Sequence, residues 1–114
     1  YPPDEVWAKY VRANIKHVPL TKPDWQFDLE KLESMITPKT KLLIINTPQR
    51  PNGHLVENPE AIAEMCFRHP NLMVISDEIF SHVTFGKPHK TIAAVPGMEE
   101  RTIVIDTFST TYAM

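Results

Sequence analysis

The chain has 114 residues and a mass of 13.1 kDa, enough for one small domain and too few for two hydrophobic cores. Hydrophobic residues make up 42% and charged residues 23%, close to the averages of folded domains, which excludes a disordered chain. A net charge of −2 argues against a nucleic-acid or anionic-membrane partner, and no apolar run approaches the roughly 18 residues of a membrane span. With only 3 glycines, neither glycine-rich nucleotide-binding motif can be written anywhere in the chain.

The N-terminal third of the chain contains two helical patterns separated by a turn. Large apolar residues spaced by three and four predict a helix over residues 4–14, with these side chains on one face: Val6, Trp7, Tyr10 and Val11. A short extended segment is expected at residues 17–20, followed by a turn at 21–24. A second helix is predicted over residues 28–36, with Asp28 as its N-cap.

The rest of the chain alternates apolar runs with one more helical pattern. The runs at residues 41–46, 72–76 and 102–107 predict strands, and we expect the first two to be buried on both faces. Between these two strands, Asn58 followed by Pro59 predicts the start of a helix that continues to about His69. A long connection with a turn at Pro96–Gly97 leads to the third strand. The pattern predicts an α/β fold with a mostly parallel sheet and flanking helices.

Polar residues follow each predicted strand, where ligands gather in parallel sheets. The Asp77–Glu78 pair comes directly after an apolar strand, and a buried carboxylate is costly without a partner, so we expect Asp77 to contact a cation. The single cysteine, Cys66, cannot form an internal disulfide, which favours a cytoplasmic location.

Five stretches resemble the large domain of class I/II aminotransferases, which are pyridoxal-phosphate enzymes of the aspartate aminotransferase fold. They are DLEKLESMITPKTKLLIINTP, the loop PQRPNGH, VISDEIF, FGKPHKTIAAVPGMEERTI and the closing TFSTTYAM. The resemblance implies that residues 1–114 form a single partial domain from the middle of the cofactor-binding domain, and that the chain is a segment lacking parts of the site.

The resemblance also assigns roles to individual positions. Asp77 matches the aspartate that contacts the cofactor's ring nitrogen, and Thr107 matches a hydroxyl residue that contacts its phosphate. Arg50 and Phe80 replace the asparagine and the tyrosine that contact the phenolic oxygen. Thr110 stands at the position of the Schiff-base lysine, and a hydroxyl cannot form an imine, so no catalytic residue is assigned.

These assignments predict an aminotransferase-like fragment or degenerate homologue without transaminase activity. Pyridoxal phosphate is implied by the resemblance alone, and Asp77 has an alternative role in pairing with Arg50 or capping a turn. The alternative function is a freestanding, non-enzymatic binding domain derived from this fold, with a small anion or an amino-acid-like compound as its ligand. Bare sheet edges and faces predict a homo-oligomer in either case. The histidines lack metal-site spacing, and neither Lys87 nor Lys90 is expected to replace the missing lysine.

Overall fold

The computed structural model describes residues 2–114, which form a three-stranded parallel sheet, a short hairpin and flanking helices. The helices are α1 (Pro2–Tyr10), α2 (Leu29–Ser34), α3 (Pro59–Arg68) and α4 (Phe108–Tyr112). The strands are β1 (Leu20–Thr21), β2 (Gln26–Phe27), β3 (Leu42–Asn46), β4 (Met73–Asp77) and β5 (Thr102–Ile105). The α/β architecture predicted from the sequence is confirmed.

Two helices begin where the sequence predicts. The Asp28 side chain accepts a hydrogen bond from the Lys31 backbone N–H at 3.0 Å, which caps α2. Asn58 caps α3 in the same way by accepting from the Ala61 N–H at 3.0 Å, and Pro59 occupies the first turn, where it leaves no bond unmade.

The main sheet has the strand order β3-β4-β5, and both of its pairings are parallel. Helix α3 connects β3 to β4, so these elements form the expected βαβ unit. A connection of residues 78–101 leads to β5 and contains two short 3₁₀ helices, Ile92–Ala94 and Glu99–Arg101. In its turn, Gly97 has a φ of +87°, and an added Cβ would lie 3.3 Å from the Phe67 ring.

One face of the sheet is covered and contains the core. Ile45 and Val74 lie on this face and join a buried cluster with α3 and the first 3₁₀ helix, which contributes Ile92. Ile62 is 1% exposed, and Ala63 and Cys66 are fully buried in the same cluster. The apolar stripe of α3 therefore faces the sheet, as expected for an amphipathic helix.

The opposite face of the sheet is open. Ile75, on the central strand, is half-buried, and the other apolar residues of this face are 38–53% exposed, namely Leu42, Ile44, Met73, Ile103 and Ile105. The prediction that the strands at 41–46 and 72–76 are buried on both faces is therefore wrong. Strands that are apolar on both sides are typical of a sheet covered by helices on both faces, but within residues 2–114 only one layer of helices packs on the sheet.

The N-terminal region also exposes apolar surface. Helix α1 ends at Tyr10, so the prediction of helix up to residue 14 is wrong, and Val11 lies in the turn that follows. The large residues of the predicted stripe are 63–80% exposed, namely Val6, Trp7, Tyr10 and Val11. The extended segment predicted at 17–20 appears mostly as irregular backbone, with only Leu20 in a strand. The predicted turn lies between β1 and β2, which pair in antiparallel fashion.

Candidate functional site

The predicted site residues lie at the carboxyl edge of the sheet. Asp77 ends β4, Arg50 lies in the loop after β3, and Phe80 begins the connection after β4. Thr107 and Thr110 follow β5, where Thr107 is the N-cap of α4 and Thr110 lies within it. Parallel strands bring these distant segments together because all their carboxyl ends point to one edge.

Arg50, Asp77 and Phe80 are in direct contact. The Arg50 Nη2 donates to the Asp77 Oδ2 at 2.5 Å, and the side chains are 22% and 12% exposed, respectively. The centre of the same guanidinium lies 5.8 Å from the centroid of the Phe80 ring, within cation–π range. The cation expected beside Asp77 is thus supplied by the chain itself.

The loop after β3 fixes the backbone of Arg50. The Arg50 N–H donates to the Asn46 Oδ1 at 2.9 Å, and the Asn46 side-chain amide donates to the Asp77 carbonyl at 3.2 Å. The Thr47 N–H donates to the same carbonyl at 3.0 Å, and its hydroxyl accepts from the Val56 N–H at 3.1 Å. The loop is therefore held at both ends, and the guanidinium is aimed back across the strand ends.

The hydroxyls after β5 are engaged within the chain. The Thr110 hydroxyl donates to the Ile79 carbonyl, in the segment between Asp77 and Phe80. The Thr107 hydroxyl accepts from the Ser109 N–H at 3.2 Å and lies 2.8 Å from the Ser109 hydroxyl. Thr110 therefore lies beside the Asp77 segment, whereas Thr107 makes local contacts in the first turn of α4.

Glu78 forms a second polar cluster that the sequence did not reveal. Its carboxylate accepts from the hydroxyls of Ser76 at 2.7 Å and Thr91 at 2.6 Å, and lies 2.8 Å from the His89 Nε2. The side chains of Glu78 and His89 are only 6% and 8% exposed. Burial alone would raise the pKa of Glu78, but hydrogen bonds from His89, Thr91 and Ser76 hold it below its ordinary value.

Asp77 and Glu78 thus point to opposite sides of the sheet. Strand periodicity is the one sequence signal for this divergence, since neighbouring residues alternate between faces. Asp77 lies on the open face with Arg50, and Glu78 lies with Ser76 on the covered face. No comparable sequence signal identified His89 or Thr91 as partners, because they lie 11 and 13 residues further along the chain.

Two lysines of the long connection lie at a surface depression that Asp77 does not line. Lys87 donates to Glu57 at 2.6 Å, and Lys87 and Lys90 both line a shallow surface depression beside Leu55 and Glu57. In the part of the chain that the structure describes, no group of three or more potential metal ligands comes together. None of its described helices is both long and apolar enough to cross a membrane.

A family model for class I and II aminotransferases matches residues 1–114. The chain belongs to this family. An aspartate aminotransferase of Musicola paradisiaca is 36% identical over 122 residues, which cover 98% of this chain and 30% of that protein. A bifunctional aspartate aminotransferase and glutamate/aspartate-prephenate aminotransferase of Petunia hybrida is 42% identical over 94 residues, covering 80% and 20%.

Solved aminotransferase structures have the same fold. Escherichia coli YbdL, reported to have a methionine aminotransferase function, aligns with a TM-score of 0.93 and 26% identity, over 100% of this chain and 31% of its own. A pyridoxal-phosphate-bound protein of Clostridium difficile 630 aligns with a TM-score of 0.89 and 27% identity, over 99% and 30%. The chain therefore spans about a third or less of these aminotransferases, and it corresponds to a partial α/β domain.

The assigned residues of this aminotransferase-family chain do not fit pyridoxal phosphate bound in the family's manner. The Asp77 carboxylate, assigned to the ring nitrogen, is already paired with the Arg50 guanidinium. Phe80 has no hydroxyl to donate to the phenolic oxygen, and Thr110 has no amine and donates its proton to a backbone carbonyl. With the roles that the resemblance assigns to these positions, three contacts of the cofactor would be replaced or blocked by side chains of the chain.

Proposed function

We propose that residues 1–114 form a single partial domain of the aminotransferase fold that does not catalyse transamination. The observation that carries this proposal is Thr110, assigned by the resemblance to the lysine position, whose hydroxyl donates to the Ile79 carbonyl. The family's chemistry needs a primary amine at this point to bind the cofactor covalently and to move the substrate's proton. A threonine hydroxyl does neither.

The surroundings of Thr110 support the same proposal. Asp77, which would hold the ring nitrogen, has the Arg50 guanidinium at 2.5 Å, and Thr107, which would hold the phosphate, caps α4. Lys87 is engaged by Glu57 on a different surface. The described residues of the carboxyl edge therefore bind one another, and the Lys87 amine is held by Glu57.

Absorbance spectroscopy tests the proposal. We expect that stoichiometric pyridoxal phosphate added to the chain produces no imine band, and that borohydride reduction leaves no cofactor attached to a specific lysine. Thr110→Lys tests the assigned position, and Thr111→Lys is the matched control one residue away. A reducible adduct of the unaltered chain that maps to Lys87 or Lys90 would contradict the proposal.

A second function is favoured by the open face of the sheet. We propose as the alternative that the chain is a non-enzymatic domain that associates with itself through this face. Five of its apolar residues are 38–53% exposed and lie on neighbouring positions of three strands, and a contiguous apolar surface of this kind is typical of interaction sites. Burying this surface against a second copy would give the sheet its second layer.

Light scattering coupled to size exclusion tests the self-association. We expect a mass above 13.1 kDa at high concentration, and we expect Ile103→Glu on the open face to reduce it. Val11→Glu, which introduces the same charge on the exposed stripe of α1, is the control. A monomer at every concentration would contradict the alternative.

A further inference from the structure

The Asp77 carboxylate and the Phe80 ring both contact one cation, the guanidinium of Arg50. The Asp77 side chain is 12% exposed, and its carboxylate has the Arg50 guanidinium at 2.5 Å and the Ile79 N–H at a longer 3.4 Å. The centre of the same guanidinium lies 5.8 Å from the centroid of the Phe80 ring. The guanidinium therefore contacts both a carboxylate and an aromatic ring.

The Asp77 carboxylate and the Phe80 ring, the two walls of this site, favour one class of ligand. A nearly buried carboxylate requires a cation with hydrogen-bond donors, because an unpaired charge there is strongly destabilising. An aromatic ring attracts a cation over its face, and a flat cation can approach both walls at once. A quaternary ammonium can lie over the ring, but it has no N–H to donate to the carboxylate.

We propose that the space between Asp77 and the Phe80 ring is a binding site for a planar organic cation, and that Arg50 occupies it as a built-in ligand. The chain thereby closes its own site to free ligands of this class. The inference rests on the proposed function, since a chain that bound the family's cofactor in the usual way would need Arg50 elsewhere.

The loop keeps this internal ligand in place. The Arg50 backbone N–H is tied to Asn46, whose side chain in turn donates to the Asp77 carbonyl. Arg50 and Asp77 are thus both tied to Asn46, so their backbones are fixed relative to the ends of β3 and β4. Removing the Arg50 side chain should leave the two walls standing with a vacancy of guanidinium shape between them.

Chemical rescue tests this site on the full chain. We expect Arg50→Ala to raise the unfolding equilibrium constant measured in urea by on the order of 100-fold, because Asp77 loses its cation. Methylguanidinium should reverse this loss in a saturable way, and tetramethylammonium at the same ionic strength should not. Arg68→Ala is the matched control: it removes an exposed arginine from an ion pair with Glu33 and should change stability far less.

The double variant Arg50→Ala/Asp77→Asn separates this site from a general effect on the loop. It should be more stable than Arg50→Ala, since no unpaired carboxylate remains, and it should no longer respond to methylguanidinium. Equal effects of the two cations, or a methylguanidinium response that persists without Asp77, would overturn the proposal. So would an Arg50→Ala chain as stable as the unaltered one.

The test remains decisive if Arg50→Ala fails to fold in buffer. Methylguanidinium should then restore its circular dichroism spectrum, and the double variant should fold without it; failure of both results overturns the proposal. Imine formation in the unaltered chain is measured separately and tests a different proposal. It would contradict the proposed function, whereas failed rescue contradicts only the planar-cation site.

Discussion

The two faces of the three-stranded sheet are made of similar aliphatic residues but have different surroundings. On the covered face, Val74 is fully buried beneath α3, and Ile45 is 3% exposed. On the open face, Ile44 of β3 and Ile103 of β5 are 41% and 53% exposed. The apolar character of a strand residue thus does not determine its burial, which depends on whether a layer of helices covers that face of the sheet.

The largest test of this difference compares one isoleucine from each environment. Ile62→Ala, in the layer that covers the sheet, should lower the free energy of unfolding by about 2–5 kcal/mol, since it leaves a cavity in packed surroundings. Ile103→Ala on the open face should cost less than about 1 kcal/mol, because that side chain is already half in water. Urea unfolding of both variants measures the contrast, and equal losses would contradict it.

The next test concerns Glu78, which anchors the connection that helps to cover the sheet. Because its folded pKa lies below the ordinary 4.5, Glu78 stabilises the fold above about pH 4.5, and this contribution is lost as the pH falls through the folded pKa. Glu78→Gln should cost about 1–3 kcal/mol at pH 7 and flatten the acid limb of stability. Urea unfolding between pH 3 and pH 7 measures both effects, and an unchanged acid limb would contradict the assignment.

A smaller effect is expected at the start of the covering helix. Asn58→Ala removes the side-chain acceptor that bonds the Ala61 N–H, and should lower the free energy of unfolding by about 1 kcal/mol. Asn58→Asp keeps an acceptor and serves as the control. If the alanine and aspartate variants were equally destabilised in thermal unfolding, the cap would not be the cause.

The smallest effect concerns the exposed ion pair between Glu33 of α2 and Arg68 of α3. The Arg68 guanidinium, which donates to Glu33 at 2.7 and 2.8 Å, is the main cause that lowers the pKa of Glu33 to about 2. Arg68→Ala should move this pKa toward 4.5 in a side-chain carboxyl NMR titration, with little change in stability, since exposed ion pairs contribute little. Arg12→Ala, in the turn after α1, should leave the titration unchanged. A Glu33 pKa that stayed near 2 in the Arg68 variant would contradict this account.

Local patterns were sufficient for much of the fold. Asp28 and Asn58 could be identified as caps because a cap contacts a backbone N–H only three residues away. The apolar runs that became β3, β4 and β5 were identified for a related reason, because strand formation reflects residue type along a short stretch. The bounds of these strands shifted by one or two residues at the ends, whereas the first helix ends four residues earlier than predicted.

The contacts of the carboxyl edge required the folded chain. The sequence placed Arg50 and Asp77 in one region and left their pairing as one of three possible roles of Asp77, because they lie 27 residues apart. It missed the cluster of Glu78, His89 and Thr91, whose partners meet only when the long connection folds back on β4. It also assigned a buried environment to strands whose second face is open.

By itself, the sequence determined the α/β class, the starts of α2 and α3, the strand cores and the membership of the aminotransferase family. These properties depend on residue type and short-range spacing, which the chain carries whether or not it is folded. Only the tertiary structure decided that Asp77 turns to the open face while Glu78 turns to the core, and that the Arg50 guanidinium pairs with Asp77. These properties depend on side-chain direction and on distances between remote segments, which short-range spacing does not encode.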